Sequence, residues 1–448
     1  MSVSTEVARA PHVTVLGGGI AGLAVGHYAR CRGLPFTVIE SSDRPGGLCR
    51  TVRRGDFAFD LGAHRFHDRD PDVTRDVLSL TGGGMHRVSL GSHIWHRGRL
   101  VDFPPSGLNL IATLGPLTVA RSVLEMAAAR LRRPAGHPSF EDAMVRAYGR
   151  TLADLFLLNY SSKLWGVSCA QLSPRVGGGR LKGLTVRSAL TGAIFGRAAH
   201  ANHVDGAFYY PAHGIGDITD ALAGSCGRAN IRTGARVTRV HHDGGAITTV
   251  DVNGHLCLEV DRLVSTIPLP RLVRLLDPPL PDDVAGDASL LRFRSLRVVA
   301  LCIDRPSVTG SATVYFPDRA MPFTRVFEPR NRSAVMSPPG QTSLVAEIPC
   351  AETDPAWMES DEALVGATTS ALASLLGFRP EDVIDSMALR VPDAYPVLDL
   401  DGESRAQRVR ARLEQFRNLE LTGRGGRFEY AWIHGLLREG RHIVERIA

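Results

Sequence analysis

The chain has 448 residues, of which 44% are hydrophobic and 22% charged, as in ordinary globular proteins. This length exceeds what one hydrophobic core usually supports, so we expect two or more domains. The net charge of +6 comes from arginines scattered among acids, which argues against a nucleic-acid surface, and the seven cysteines show no metal-site spacing. Without a bilayer-length apolar run or a signal-peptide core, the sequence predicts a cytoplasmic protein with no membrane span. The oligomeric state stays open.

The first part of the chain has the pattern of a dinucleotide-binding unit. The apolar run Val13–Leu16 predicts a buried strand, which is followed by a glycine turn, a helix and a second strand ending in an acid. In the Gly-x-Gly-x-x-Gly spacing, the first glycine allows a tight turn, the second lets a diphosphate approach the backbone, and the third brings the helix close to the sheet. The acid is placed to accept hydrogen bonds from a ribose. We therefore predict four residues that bind a dinucleotide: Gly17, Gly19, Gly22 and Glu40.

A second glycine pair follows directly after the ribose acid, in the loop 41–50. The segment resembles the flavin superfamily that contains amine oxidases, protoporphyrinogen oxidases, carotenoid desaturases and UDP-galactopyranose mutases. In those families the loop runs along the phosphates and ribityl chain of FAD. The resemblance therefore implies that the cofactor is FAD. It also implies four further residues that bind FAD: Arg44, Gly46, Gly47 and Leu48. A solvent-exposed turn is the alternative interpretation.

The next segment places two histidines after a strand. Large apolar residues occupy every second position over 57–61, as in a half-buried strand. Gly62, which follows, allows close backbone approach. The continuation resembles the Gly-x-His-x-Phe-His segment of the mutases, in which the first histidine lies against the isoalloxazine ring. This resemblance implies that His64 contacts FAD near its reactive edge, where it would tune the redox state. His67 is a second candidate, and a purely structural histidine is the alternative.

The middle of the chain predicts helices inserted after a hairpin. Residues 92–105 indicate the hairpin, 108–133 have a helical pattern, and Ser139 is expected to cap a further helix.

The segment that follows resembles a Lys-x-Trp-Gly motif of the mutases. The resemblance implies that Tyr160 and Trp165 face the substrate, although for Tyr160 a buried helix end is an equal alternative. Arg180 falls where the mutases and their relatives carry an arginine close to the flavin and the substrate anion; a solvated arginine is the alternative.

Two later segments are expected to return to the dinucleotide sheet. Residues 208–222 resemble the family's Tyr-Pro turn into a helix, and 230–264 predict a β meander with a turn at Asn253-Gly254. In the superfamily the first strand of this meander meets the adenine, and Val237 is the matching position. A strand at 262–265 then leads back towards the dinucleotide.

Two substrate residues are implied in the second half of the chain. Residues 321–330 resemble the mutases' Thr-Arg-x-x-Glu segment, whose arginine meets the substrate pyrophosphate, and Arg325 holds that position. Tyr395 matches the family's Ala-Tyr-Pro turn and is expected to border the cleft.

The C-terminal segment resembles the second flavin signature of the superfamily. A strand runs into Gly423 and Arg424, and Tyr430 completes the mutase pattern Gly-Arg-x5-Tyr. The chain departs from that pattern at 431–434, where the family usually has an acidic or amide residue, and this leaves the reaction open. His434 is a weaker site candidate.

These observations predict an α/β fold with a discontinuous Rossmann-type FAD-binding domain and an inserted mixed α+β substrate domain. We assign 1–90, 205–285 and 400–448 to the first domain, and 91–204 and 286–399 to the second.

The predicted function is an FAD-dependent oxidoreductase that passes a hydride from a small, anionic or sugar-derived substrate to flavin N5. A non-redox pyranose–furanose mutase, in which reduced flavin N5 is the nucleophile towards a nucleotide sugar, is the alternative. A flavoprotein without turnover is the third interpretation. The residues given catalytic roles are His64, Arg180, Arg325 and Tyr430.

Overall fold

A five-stranded parallel sheet is built from three distant parts of the chain. The computed structural model describes residues 9–103, 107–131, 136, 138–177 and 207–448. In spatial order the strands of this sheet are Leu419–Leu421, Arg262–Ser265, Val13–Leu16, Phe36–Ile39 and Ile231–Arg232. Every pair of neighbours is parallel. Such a sheet needs cover on both faces, which explains why Val13–Leu16 is apolar and buried along its whole length.

Helices cover the faces of this sheet. The first helix, Ile20–Cys31, packs against Gly216–Cys226 and against the C-terminal helix Ile433–Ile447. A Cβ atom on Gly440 would lie 2.9 Å from the Cβ of Ala24, so the glycine lets the last helix approach the first. This packing brings the first and the last described helix together beside the sheet.

Smaller sheets extend this part of the molecule. Two two-stranded antiparallel sheets are present: the hairpin of Thr51–Arg54 with Phe57–Asp60, and the pairing of Met85–Val88 with the distant strand Phe208–Pro211. A four-stranded sheet has the strands Leu256–Glu259, Ile247–Val252, Val237–His242 and Leu276–Asp277. The predicted turn at Asn253-Gly254 is confirmed, since both residues have positive φ, 55° and 74°.

A seven-stranded sheet forms the second half of the molecule. Its strands, in order, are Val383–Pro396, Phe293–Ile303, Thr342–Cys350, Arg325–Phe327, Val314–Tyr315, Ser92–His96 and Arg99–Phe103. The predicted hairpin is confirmed, and it joins this sheet through a parallel pairing with Val314–Tyr315. Tyr395 lies near the end of a 14-residue strand and not in the turn expected for it.

The helical region after the hairpin differs from its prediction. The single pattern over 108–133 forms two helices, Gly107–Leu114 and Pro116–Leu131, which meet at 117°. Gly115 has φ +83° and Pro116 cannot continue the preceding helix, so the break has a local cause. In the described part of the chain no single helix suffices to cross a membrane, and only this bent pair taken together has the length and apolar character.

The remaining helices complete both halves. Ser139 and Asp142 form the expected capping box on Phe140–Tyr148, and a longer helix spans Asp361–Leu376. The others are Pro71–Leu80, Arg150–Leu152 continuing through a π-helical Ala153–Leu158 into Asn159–Trp165, Leu269–Leu275, Asp282–Ser289, Pro355–Met358, Leu400–Leu413 and Gly423–Arg427.

The α/β fold class is confirmed. Strands of the parallel sheet come from within 1–90, 205–285 and 400–448, and those of the seven-stranded sheet come from within 91–204 and 286–399. The domain boundaries themselves stay a prediction.

Candidate active site

The first glycine turn, residues 17–19, is shaped by close contacts on two sides. Gly17 has φ +100°, and a Cβ atom on it would lie 2.2 Å from Thr266 Oγ1. A Cβ atom on Gly22 would lie 1.9 Å from the carbonyl oxygen of Gly17. A Cβ atom on Gly19 would meet only the Cα of Gly47, at 3.9 Å. Contacts within the protein therefore require glycine at positions 17 and 22. At position 19 a side chain would meet no close contact, so the glycine leaves space beside the turn.

The second glycine loop, residues 46–48, lies directly on the first turn. Gly46 donates its N–H to the carbonyl of Gly18 at 2.8 Å, and a Cβ atom on Gly47 would be 3.0 Å from the Cα of Gly19. Both Gly46 and Gly47 have positive φ, 118° and 56°. Leu48 sits in the 3₁₀ turn that follows and packs against the core. The two glycine segments thus lie against each other, and we call the space beside them, where the resemblance places FAD, the cofactor groove.

Glu40 is nearly buried at the edge of this groove. Its Oε2 accepts the Gly18 N–H at 2.7 Å, while its Oε1 accepts the N–H and hydroxyl of Ser42 at 2.8 and 2.7 Å. The predicted acid is therefore held beside the glycine turn, where a ribose would lie.

Two other predicted cofactor residues lie further out. The guanidinium of Arg44 forms an exposed ion pair with Asp220 at 2.8 Å. Val237 begins a strand and is half-buried. Contacts of either residue with a cofactor stay predictions.

The C-terminal turn reaches both the glycine turn and the second half of the molecule. Gly423 has φ +82°, and a Cβ atom on it would lie 3.3 Å from side-chain atoms of both Ala21 and Thr266. Arg424 donates to the carbonyls of Ala394 and Ala431 at 3.3 and 3.2 Å. The turn is therefore fixed between the first helix and the strand that carries Tyr395.

An adenine dinucleotide fits this arrangement. Helix Ile20–Cys31 begins at Gly19 without a side-chain cap, so its first amide groups can meet a diphosphate. The open side of Gly19 leaves room for that approach. The resemblance assigned residues from three segments of the chain to FAD binding. These three segments lie around the cofactor groove.

A cavity of about 140 Å³ adjoins the C-terminal turn. Its lining includes eight of the predicted site residues: His64, His67, Tyr160, Trp165, Arg325, Tyr395, Arg424 and Tyr430. Nine of its 23 lining residues are phenylalanine, tyrosine or tryptophan, and we call it the aromatic cavity. Its aromatic lining comprises Phe103, Phe140, Phe156, Tyr160, Trp165, Tyr315, Tyr395, Tyr430 and Trp432.

The aromatic rings beside the C-terminal turn contact one another in a series. The rings of Tyr395 and Tyr430 are nearly parallel, with centroids 6.4 Å apart, and the guanidinium of Arg424 lies 5.2 and 4.7 Å from their centroids. Trp165 meets Tyr395 edge-on at 5.9 Å, and Trp432 meets Tyr430 edge-on at 5.7 Å. These contacts give the cavity a rigid apolar wall next to a cation.

Tyr160 and Trp165 reach the cavity from one helix. A π-helical stretch, Ala153–Leu158, precedes them, and such stretches are frequent at functional sites. Tyr160 meets Tyr315 edge-on at 5.6 Å. Trp165 is only 4% exposed and precedes Gly166, whose φ of +70° ends the helix. Trp165 therefore serves as both core and cavity wall.

His64 lies in the cavity as a neutral side chain. Its Nδ1 is 3.1 Å from the carbonyl oxygen of Gly62, and because a carbonyl only accepts, Nδ1 carries the proton and Nε2 keeps a lone pair. Burial, with Arg424 and Arg325 nearby, lowers the pKa of His64 to about 3. The imidazole is therefore uncharged at neutral pH.

The other two candidate histidines lie near Trp432. His67 is buried and meets Trp432 edge-on at 5.6 Å, also within the cavity wall. His434 lies in the first turn of the C-terminal helix, and burial lowers its pKa.

Arg325 is buried and paired with an acid that the sequence analysis did not single out. Its Nε lies 2.7 Å from Oε2 of Glu347, and its Nη2 donates to the Tyr395 hydroxyl at 2.6 Å. Burial lowers the pKa of Arg325, but the Glu347 carboxylate outweighs this and raises the pKa overall, so the cation persists. The charge of Arg325 is thus matched within the protein.

Sequence analysis also missed five aromatic residues of the cavity, Phe103, Phe140, Phe156, Tyr315 and Trp432. For Glu347 a signal existed, namely a single acid inside the otherwise apolar strand Thr342–Cys350. Arg180 lies outside the described residues. Within the described ranges no three histidine, cysteine or acidic side chains gather as metal ligands.

The sequence matches the family described as flavin containing amine oxidoreductase over residues 20–448. Coproporphyrinogen III oxidase of Mycobacterium leprae is 27% identical over 320 residues, which are 65% of this chain and 67% of that protein. Phytoene dehydrogenase of Streptomyces griseus is 26% identical over 294 residues, 59% of this chain and 56% of that protein. The matches thus span about two thirds and just over half of these relatives.

The fold is similar to that of a solved structure of reduced UDP-galactopyranose mutase. The two superpose with a TM-score of 0.83 over 98% of this chain and 95% of that one, at 21% sequence identity. At this identity the likeness concerns the fold alone.

Proposed function

The chain belongs to the family of flavin containing amine oxidoreductases, and we propose that it is an FAD-dependent oxidoreductase that removes a hydride from a small substrate held in the aromatic cavity. The observation that carries this proposal is the position of Arg424. Its turn packs against the helix that begins at the glycine turn, and its guanidinium lies over two aromatic rings of the cavity. The cofactor groove and the cavity therefore share this turn.

The residues of the groove would hold FAD, and the cofactor supplies the hydride acceptor when it is bound. The first amide groups of Ile20–Cys31 would meet its diphosphate and Glu40 its ribose. Gly423 and Arg424 would lie towards its flavin end, as the resemblance implies.

His64 is suited to accept a hydrogen bond and poorly suited to act as a base. Its lowered pKa of about 3 makes the imidazole a weak base at neutral pH. Nε2 can accept a hydrogen bond from a hydroxyl or an N–H of the substrate because Nδ1 is committed to Gly62. We therefore assign His64 to orienting the substrate.

The walls of the cavity favour a substrate with an apolar skeleton. Aromatic and aliphatic side chains together make up most of the lining, and such a wall would limit the water around the reacting group. Among the described residues, Arg424 donates to two carbonyls, and the charge of Arg325 is matched by Glu347. A small substrate with a neutral oxygen or nitrogen beside the oxidised C–H bond fits these groups.

Anaerobic reduction of the bound flavin tests this proposal. The purified protein would be mixed without oxygen with amines, alcohols, polyenes, sugars and nucleotide sugars in turn, and the visible flavin absorbance would be followed. Bleaching by one class supports the oxidoreductase and identifies its substrate. Absence of bleaching with every class, in a protein that carries FAD, would argue against it.

A non-redox mutase is the second candidate. Six of the residues that carried the resemblance to mutases line one cavity, namely His64, Tyr160, Trp165, Arg325, Tyr395 and Tyr430, while Arg180 lies outside the described residues. A mutase would convert a nucleotide sugar only after its flavin had been reduced with dithionite, with no net change in the flavin. Isomerisation that requires prior reduction would therefore favour the mutase over the oxidoreductase.

A further inference from the structure

Glu347 is a fully buried acid whose two oxygens contact different parts of the site. Oε2 lies 2.7 Å from Arg325 Nε, and Oε1 accepts the N–H of Ala63 at 2.8 Å. Arg325 and Glu347 are directly opposite each other in neighbouring antiparallel strands, so their side chains leave the sheet on the same face. The carboxylate and the guanidinium can both stay charged in this buried position because each compensates the charge of the other.

The ion pair changes what Arg325 offers to a substrate. Nε lies 2.7 Å from Glu347 Oε2 as an ion pair without a hydrogen bond, and Nη2 donates to Tyr395. Nη1 has no hydrogen bond to any residue in the described part of the chain. A neutralised guanidinium can still donate a hydrogen bond to an uncharged oxygen. It attracts a carboxylate or phosphate much less than an isolated cation would, because the nearby negative charge opposes the anion.

We propose that Glu347 is a specificity-determining residue, which cancels the charge of Arg325 and thereby shifts the preference of the cavity away from an anion and towards a neutral carbonyl or hydroxyl group. The inference rests on the proposed function, since it takes the aromatic cavity as the substrate site. Through Ala63 the same acid holds the turn that carries His64. Glu347 acts through these neighbours and is a positioning residue.

The test compares an anion with a neutral molecule of the same shape. Benzoate and benzamide would be titrated into the FAD-loaded protein, and their dissociation constants taken from the perturbation of the flavin absorbance. In Glu347→Gln the cation of Arg325 is no longer matched, so the preference for benzoate over benzamide should rise by about tenfold or more relative to wild type. Adding Arg325→Met to this variant should abolish the rise.

Glu328→Gln is the matched control. Glu328 is also a fully buried acid of this region, and it accepts hydrogen bonds from Thr309 and Thr342 outside the cavity. A merely structural effect of losing a buried carboxylate should appear in both variants, whereas the change in preference should appear only at Glu347. If Glu347→Gln does not retain FAD, Arg325→Met alone should lower the preference for benzoate by a similar factor, because Glu347 is then unmatched.

The outcomes separate the inference from the proposed function. An unchanged benzoate-to-benzamide ratio in Glu347→Gln, with both probes perturbing the flavin, would overturn the inference and leave the substrate cavity in place. An equal rise in Glu328→Gln would also overturn it. If neither probe perturbs the flavin in any variant, the cavity does not adjoin the flavin, and both the proposed function and the inference fail.

Discussion

Gly22 lies so close to Gly17 that a Cβ atom added to it would be 1.9 Å from the Gly17 carbonyl oxygen. At Gly19 the added atom would meet only Gly47, at an ordinary 3.9 Å. We expect Gly22→Ala to destabilise the fold by about 3 kcal/mol or more, since backbone must move. Gly19→Ala should fold normally but bind FAD poorly, because its methyl group would occupy the space left for a diphosphate. Thermal unfolding and the FAD content of the purified variants would measure both effects.

Gly366→Ala provides a control for these two variants. A Cβ atom there would meet nothing within 4 Å, and the residue lies inside the helix Asp361–Leu376. We expect stability to be unchanged or to rise by up to about 1 kcal/mol, with FAD content as in wild type. Full FAD affinity in Gly19→Ala would show that the diphosphate does not pass this glycine.

The parts of the fold that sequence could predict are those with local signals. The strand, glycine turn, helix and acid of residues 13–40 follow one another in the chain, and each step has its own residue pattern. The break at Gly115 and Pro116 also has a local signal, but the apolar pattern on both sides of it led to the prediction of one helix.

The cavity was predictable only where family motifs marked its residues. Tyr395 and Tyr430 carried such motifs and do line it. Phe103 and Tyr315 are brought there by the pairing of strands far apart in sequence, and nothing near either residue announces this. Glu347 lies opposite Arg325 through strand register, which the sequence alone does not fix.

Glu40→Gln should weaken FAD binding without unfolding the protein. The carboxylate accepts hydrogen bonds from Gly18 on one oxygen and from Ser42 on the other, and an amide can accept on only one side. The rearranged side chain would also face a ribose with the wrong polarity. We expect the dissociation constant of FAD to rise by about 10- to 100-fold, as for the loss of a charge-assisted hydrogen bond.

Glu420→Gln is the control for this substitution. Glu420 lies in the neighbouring strand Leu419–Leu421 and forms a surface ion pair with Arg446 at 2.8 Å. FAD titration of the apoprotein, followed by flavin fluorescence, should distinguish only the Glu40 variant from wild type. Equal affinities for all three proteins would remove Glu40 from the cofactor site.

His64 should make stability depend on pH below neutrality. Burial and the nearby Arg424 and Arg325 lower its pKa in the folded state to about 3, against an ordinary value of 6.5. Between these values the unfolded chain binds a proton that the folded protein does not, so the free energy of unfolding falls as pH falls from 6.5 towards 3. For one proton this slope is at most about 1.4 kcal/mol per pH unit.

His64→Gln lacks the group that binds this proton. The urea-unfolding midpoint of the variant should therefore fall less between pH 7 and pH 5 than that of wild type. Identical slopes in wild type and His64→Gln would mean that the imidazole is not kept neutral by its surroundings.

Arg424→Lys should damage the junction between the cofactor groove and the cavity. The planar guanidinium donates to Ala394 and Ala431 with two nitrogens and lies over the rings of Tyr395 and Tyr430. A lysine has one nitrogen and no planar face, so it cannot make both carbonyl bonds and keep the stacking contacts. We expect FAD affinity to fall about tenfold or more, with a further loss of flavin reduction by substrate in the protein saturated with FAD.

Arg427→Lys tests whether this loss is specific. Arg427 belongs to the same short helix but pairs with Glu429 and Glu439 away from the cavity. A rate of anaerobic flavin reduction that falls in both variants would point to a general weakening of the helix. We expect the reduction rate to fall in Arg424→Lys alone, because of these two arginines only Arg424 contacts the rings that face the substrate. Wild-type FAD affinity and reduction rate in Arg424→Lys would separate the cavity from the cofactor groove and contradict the observation on which the proposed function depends.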